Sequence, residues 1–97
     1  MKNKEFIKSS IKKYLPELKK DFKIKELKLF GSYVNNNENE KSDVDILVNF
    51  NDVIDLIQFI KLKNFLSDLL NVQVDLVMES ALKNRIKKRV LQEAELI

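Results

Sequence analysis

The chain has 97 residues, with 18 Lys and Arg against 15 Asp and Glu, and it contains no Cys and no His. These absences exclude disulfides, thiol nucleophiles, thiolate metal sites and imidazole catalysis. Any chemistry must therefore use carboxylates, hydroxyls, amines and hard metal ions. A chain of this length is expected to form a single domain, residues 1–97, with one modest core.

The net charge of +3 is unevenly distributed along the sequence. Residues 1–28 hold 10 Lys and 4 acids, residues 29–82 hold 3 Lys and 9 acids, and residues 83–97 hold 5 Lys or Arg and 2 Glu. Basic ends of this kind are typical of solvated helix faces, which makes direct nucleic-acid binding the least favoured hypothesis. Because no membrane-spanning or signal-peptide segment is visible, we expect no membrane contact and a cytoplasmic location.

Hydrophobic periodicity predicts helices that alternate with strands, which is an α/β pattern. The predicted helices cover 3–14, 16–22, 53–70 and 80–95, and the predicted strands cover 24–30, 43–50 and 72–78. Asn3 and Asp52 are the expected N-caps of the first and third helices, Pro16 fits the first turn of the second, and Asn71 is expected to end the third. Gly31, the only glycine, follows the first strand.

Two of the predicted helices raise questions about packing. From Val53 to Leu70, 11 of 18 residues are apolar, whereas a helix with one buried face needs roughly eight. The surplus indicates either a second buried face, for a partner or another copy of the chain, or a central place in a small core. In the last helix, the predicted inward row is Leu82, Ile86, Val90 and Ala94.

Three aspartates lie in predicted strands, where a carboxylate on an apolar sheet face lowers stability unless it is paired or bound to a metal ion. Asp43 and Asp45 share one face of the second strand because side chains alternate along a strand. If the third strand lies beside the second, Asp75 comes within roughly 5 Å (Cβ to Cβ) of one of them. Converging carboxylates must hold a proton or bind a cation, and oxygen ligands select Mg²⁺ or Mn²⁺.

The Gly31-Ser32 pair is suited to a phosphate group. A glycine lets the backbone approach a phosphate closely, and the Ser32 hydroxyl and turn N–H groups can hold a triphosphate. With a carboxylate site for one or two metal ions, this is the minimum apparatus for nucleotidyl transfer. One ion would lower the pKa of the attacking hydroxyl and a second would stabilise the leaving pyrophosphate.

The joint spacing of these motifs resembles the nucleotidyltransferase superfamily. Gly31-Ser32 is followed after ten residues by Asp43-x-Asp45 and then by Asp75 in a valine-rich strand. Within the superfamily the chain is similar to the minimal nucleotidyltransferases (MNT), the small prokaryotic branch of the polymerase-beta-like fold. The matching segments are LFGSY at Leu29–Tyr33, SDVDILV at Ser42–Val48, VDLV at Val74–Val77 and LKNRIKKRVLQEA at Leu82–Ala94.

The resemblance implies a palm-like α/β (α+β) fold, with a three-stranded mixed sheet and about four helices packed mainly on one face. Many members are antitoxins encoded beside a HEPN RNase toxin, and they transfer AMP from ATP to a tyrosine of that toxin. Position by position, Gly31 and Ser32 would bind the triphosphate, and Asp43 and Asp45 would ligate Mg²⁺. Asp75 would ligate the catalytic metal or accept the proton of the attacking hydroxyl.

One segment departs from the family pattern. Many relatives have a small residue, a basic residue and a glycine after Gly-Ser-x, whereas this chain has Val34-Asn35-Asn36. A missing cation removes a charge-assisted contact worth about 1.5–3 kcal/mol, unless lysines from the basic ends or a partner replace it.

Two functions are alternatives to protein adenylylation. One is an inactive antitoxin that neutralises its toxin by binding alone, and the other is transfer to a small molecule.

Overall fold

The computed structural model of the chain describes residues 3–35 and 43–97. Its helices are α1 (Lys4–Lys12), α2 (Leu15–Asp21), α3 (Leu56–Leu70) and α4 (Asn84–Glu93), and its strands are β1 (Ile24–Phe30), β2 (Val44–Phe50), β3 (Val74–Met78) and β4 (Glu95–Leu96). The strand order is β3-β2-β1-β4, with β2 and β3 parallel and the other pairs antiparallel. The predicted mixed sheet is confirmed, with β2 and β3 as neighbours.

The sheet has four strands rather than the predicted three. Residue 95, predicted as the last residue of the final helix, instead pairs with β1 together with residue 96. Glu95 is held there by two lysines of α1, with Lys4 Nζ at 3.0 Å and Lys8 Nζ at 2.6 Å from its carboxylate oxygens. The adjacent Ile97 donates its backbone N–H to Leu27 and is buried in the core. These contacts fix the C-terminal end of α4 against the edge of the sheet.

Local signals set both ends of α3 and the start of α1. The Asn3 side chain accepts a hydrogen bond from the N–H of Phe6, and Asn71 ends α3 in the left-handed conformation, with φ of 53°, as predicted. The N-cap of α3 was predicted wrongly. Asp55 caps this helix by accepting from the Gln58 N–H, while Asp52 accepts from the neighbouring Val53 N–H and pairs with a lysine.

One face of the sheet forms the core together with α1, α2 and α3. Alternate residues of the strands point into this face, as the period of two requires. The strand members of the core are Ile24, Leu27, Leu29, Val44, Ile46, Val48, Val74 and Leu76, and the helix members are Ile7, Ile11, Leu18, Leu62, Leu66 and Leu70. The prediction of helices packed mainly on one face is therefore confirmed.

The fourth helix is different, because α4 has no fully buried residue. Ile86, predicted to point inward, is 49% exposed. Ile86 and Val90 border a cavity with Phe30 and do not enter the core. The inward row of α4 was thus predicted correctly as an apolar stripe and wrongly as a core contact. None of the helices within the described ranges is long and apolar enough to cross a membrane.

Candidate active site

The face of the sheet opposite the core carries a row of three paired positions. Asp45 of β2 is the register partner of Asp75 on β3, and on its other side it is paired with Phe30 of β1. Paired residues of adjacent strands point to the same face. The structure therefore places Asp45 and Asp75 side by side, as the sequence predicted, and it adds Phe30 to the row.

Charge repulsion acts within this acidic group. The pKa of Asp45 is raised to about 6, chiefly by burial and then by the nearby Asp75 and Asp43 carboxylates, in that order of importance. Asp43 directly precedes β2 and is exposed, as is Asp75, whereas Asp45 is half-buried. The three carboxylates therefore form one electrostatic cluster, with Asp45 as its most desolvated member.

Gly31 lies against this cluster. Its φ of 78° is in the left-handed region, which favours glycine. A Cβ atom at this position would overlap Oδ2 of Asp45 and would lie 3.0 Å from Asp45 Cγ. The sequence assigned this glycine to a phosphate contact. The structure adds a second requirement, because any side chain here would collide with the central carboxylate.

Ser32 follows Gly31 in a single 3₁₀ turn, Gly31–Tyr33. The Gly31 carbonyl accepts the N–H groups of Val34 and Asn35, both at 3.1 Å. Ser32 is half-buried and directly follows Gly31, the residue in contact with Asp45, while Tyr33 is buried in the core. In the segment that departs from the family pattern, Val34 and Asn35 follow this turn, and Asn36 lies outside the described residues.

The acidic cluster fits a divalent cation that is shared with a ligand. Among the residues the structure describes, no group of three acidic side chains is arranged to enclose a metal ion by itself. Mg²⁺ usually takes one or two protein carboxylates and completes its shell with water and phosphate oxygens. A cation would also relieve the repulsion at Asp45. The donor set is therefore suited to a metal–phosphate complex and not to a closed protein cage.

A cavity of about 490 Å³ lies beside Gly31, within the roughly 300–1,000 Å³ of small-molecule sites. Its walls are Phe30 and Gly31 on one side and Arg85, Ile86, Arg89, Val90 and Glu93 of α4 on the other. The three aspartates do not line it. Gly31 is the point at which the cavity and the acidic cluster meet, since it lines the first and contacts Asp45 of the second.

Sequence reasoning missed the two arginines. A usable signal was present, because Arg85 and Arg89 are the only arginines in the chain and are four residues apart on one helix. That spacing puts both on the same helix face. A guanidinium also binds phosphate with a geometry that lysine lacks.

Comparisons with known proteins agree with this geometry. Residues 11–97 match the family model described as a nucleotidyltransferase domain. The chain belongs to this nucleotidyltransferase family. It is 46% identical over 89 residues to protein adenylyltransferase MntA of Thermococcus cleftensis, a match that covers 92% of this chain and 90% of that protein.

Two solved toxin–antitoxin structures have the same fold. One contains AMP-PNP and matches with a TM-score of 0.71 and 28% identity, covering 87% of this chain and 69% of that chain. The other is tri-AMPylated Shewanella oneidensis HEPN toxin in complex with MNT antitoxin, with a TM-score of 0.66, 26% identity and coverage of 93% and 70%. The predicted MNT resemblance is confirmed, and the chain is a nucleotidyltransferase enzyme.

Because Asp45 is partly desolvated, we expect its replacement by Asn to raise the free energy of unfolding by an amount that depends on pH. The rise in its pKa from 3.8 to about 6 corresponds to about 3 kcal/mol before screening, and to about 1 kcal/mol once the solvent contact of this half-exposed side chain is allowed for. Above pH 6 the folded nucleotidyltransferase bears this cost, and below pH 6 it is relieved as the folded state takes up a proton. Metal-free Asp45→Asn should therefore be more stable than the wild type at pH 8, by an amount that shrinks towards pH 4.

Urea unfolding in EDTA at pH 8, 6 and 4.5 measures this difference. Asp68→Asn on the exposed surface of α3 is the matched control and should show little change. A difference for Asp45→Asn that does not vary with pH, or a loss of stability at pH 8, would contradict the repulsion within the cluster.

The contact between Gly31 and Asp45 predicts a large effect of one methyl group. Gly31→Ala should lower the free energy of unfolding of the nucleotidyltransferase by about 2–4 kcal/mol, from left-handed strain plus overpacking. Ser32→Ala, in the same turn, should cost less than about 1 kcal/mol. Adding Asp45→Ala to Gly31→Ala should recover part of the loss, because it removes the colliding side chain.

Chemical denaturation of the wild type, Gly31→Ala, Asp45→Ala and the double variant completes this double-mutant cycle. Changes in the free energy of unfolding that are additive for Gly31→Ala and Asp45→Ala would show that the two positions are not in contact.

Proposed function

We propose that this enzyme transfers AMP from ATP to a tyrosine hydroxyl of a HEPN-type toxin, in a Mg²⁺-dependent reaction that makes it the antitoxin of that toxin. The observation that carries the proposal is the pairing of Asp45 with Asp75 beside Gly31, on a chain similar to a protein adenylyltransferase. The solved relative with an AMPylated HEPN toxin supports the choice of acceptor. The relative with AMP-PNP supports an adenine nucleotide as donor.

The acidic cluster supplies the metal site in this proposal. Asp43 and Asp45 would hold Mg²⁺, with Mn²⁺ as a substitute, and one or two ions fit the family pattern. Such a metal ion neutralises charge on the phosphates and lowers the pKa of the attacking hydroxyl. The half-buried position of Asp45 strengthens its attraction for a cation, since fewer water molecules compete there.

The remaining residues bind and orient the reactants. Gly31 and Ser32 would bind the triphosphate, and the lack of a side chain at Gly31 leaves its backbone open beside Asp45. The tyrosine oxygen forms a bond to the α-phosphorus while the bond from that phosphorus to the leaving oxygen breaks, which releases pyrophosphate. Asp75 would complete the metal site or accept the hydroxyl proton.

An exposed apolar surface favours a second candidate function. Four residues at the start of α3 and just before it, Val53, Leu56, Ile57 and Ile60, are 45–90% exposed. The fully buried residues of this helix, Leu62, Leu66 and Leu70, lie further along it. These four exposed residues form the α3 apolar surface, which is a candidate contact for a toxin or for a second copy of the chain. Neutralisation by binding alone would use this surface and leave the aspartates idle.

Transfer of label tests the catalytic proposal directly. The wild type, incubated with the product of the neighbouring gene, Mg²⁺ and ATP labelled at the α-phosphate, should label that protein. Asp43→Asn/Asp45→Asn should reduce the rate about 100-fold or more, because metal-assisted charge stabilisation contributes several kcal/mol. Asp68→Asn should retain the wild-type rate. Absence of transfer by the wild type, or label on a small molecule instead, would contradict the proposal.

Protection of cells that express the toxin separates the two candidates. If transfer is the antitoxin activity, the double-aspartate variant should bind the toxin and fail to protect. If occlusion is the activity, that variant should protect fully, while Leu56→Gln/Ile57→Gln should lose both the complex and protection. Lys61→Gln, exposed on the same helix, is the control for the second variant.

A further inference from the structure

The turn that would hold the triphosphate has no positive charge of its own. Residues 31–35 read Gly-Ser-Tyr-Val-Asn, and the nearest strand row adds two carboxylates and a phenylalanine. A triphosphate carries several negative charges, so backbone N–H groups and a metal ion leave part of that charge uncompensated. A nucleotide bound here therefore requires cations from another element.

The fourth helix, α4, provides two cations in the cavity beside the Gly31 turn. Arg85 and Arg89 line the cavity that Gly31 also lines, and the cavity carries a single carboxylate, that of Glu93. None of the ion pairs among the described residues involves an arginine. Both guanidinium groups are therefore available to a ligand.

The packing of α4 is consistent with a ligand-binding role. The helix has no fully buried residue, so its inner face is not needed for the core. Its end is nevertheless fixed, because the following Glu95 is paired with α1 and Ile97 is buried. A helix that is held at one end while its inner face borders a cavity can present charged side chains at a defined distance from the sheet.

We propose that Arg85 and Arg89 bind the β- and γ-phosphates of the nucleotide and hold the triphosphate between α4 and the Gly31 turn. The inference rests on the proposed function, since it names the phosphate-binding side chains of the same site. Guanidinium groups bind phosphate oxygens in pairs, and two of them one helical turn apart can contact adjacent phosphates. Ile86 and Val90 line the same cavity and give it an apolar wall beside the two guanidinium groups.

Calorimetric titration of the purified chain with AMP-PNP and Mg²⁺ tests this role. Arg85→Gln and Arg89→Gln should each weaken binding about 10-fold or more, since hydrogen bonds to charged groups are lost. Lys88→Gln, which removes an exposed cation of the same helix outside the cavity, should bind as the wild type does. Arg85→Lys and Arg89→Lys should recover part of the affinity, because they keep the charge and lose the paired geometry.

Titration with AMP distinguishes phosphate binding from a structural effect. The arginine variants should lose far less affinity for AMP than for AMP-PNP, because AMP lacks the β- and γ-phosphates. Equal losses for both ligands, or no loss for AMP-PNP in the double variant Arg85→Gln/Arg89→Gln, would overturn the inference. Failure of the wild type to bind AMP-PNP would instead contradict the proposed function, so the two failures are distinguishable.

Discussion

Two like charges on paired positions of adjacent parallel strands are the constraint on which the site depends. Asp45 and Asp75 are register partners, and Asp45 is partly desolvated as well. Like charges directly opposite each other destabilise a sheet, and burial increases the cost. The fold bears this cost because the apolar residues of the same strands point to the other face and form a continuous core with three helices. Each strand therefore serves stability on one face and chemistry on the other.

The rest of the site follows from that division of the sheet. Gly31 ends the first strand in a left-handed conformation and comes so close to Asp45 that a side chain has no room. The fourth helix borders the polar face without entering the core, which leaves a cavity between its arginines and Gly31. An acidic side suited to a metal ion and a basic side suited to phosphates thus meet at one glycine. A metal–triphosphate complex matches both sides, because its metal ion is positive and its phosphates are negative.

The sequence predicted the features that depend on local rules. The period of two placed Asp43 and Asp45 together, and the special residues Asn3 and Asn71 marked helix ends because their side chains or backbone conformations satisfy end groups. Prediction from the sequence failed where two residues could form the same cap, or where long-range contacts determine which element forms. Asp52 and Asp55 are both good caps, and in the structure Asp55 caps α3 while Asp52 is paired with Lys23. The two-residue strand β4 exists because α1 lysines and the β1 edge hold it. The cavity that Arg85 shares with Gly31 likewise depends on where α4 lies relative to the end of β1, which is a long-range property.

Paramagnetic broadening by Mn²⁺ is the measurement that tests the shared metal–phosphate site most directly. In a ¹⁵N-labelled sample with AMP-PNP, substoichiometric Mn²⁺ should broaden the backbone amide signals of Gly31, Asp45 and Asp75 first, because these residues surround the proposed ion. Arg85 and Arg89 should shift on addition of AMP-PNP with diamagnetic Mg²⁺, as the phosphates approach α4. Early broadening around exposed acids such as Asp68, with Gly31 and Asp45 unaffected, would contradict the proposed centre.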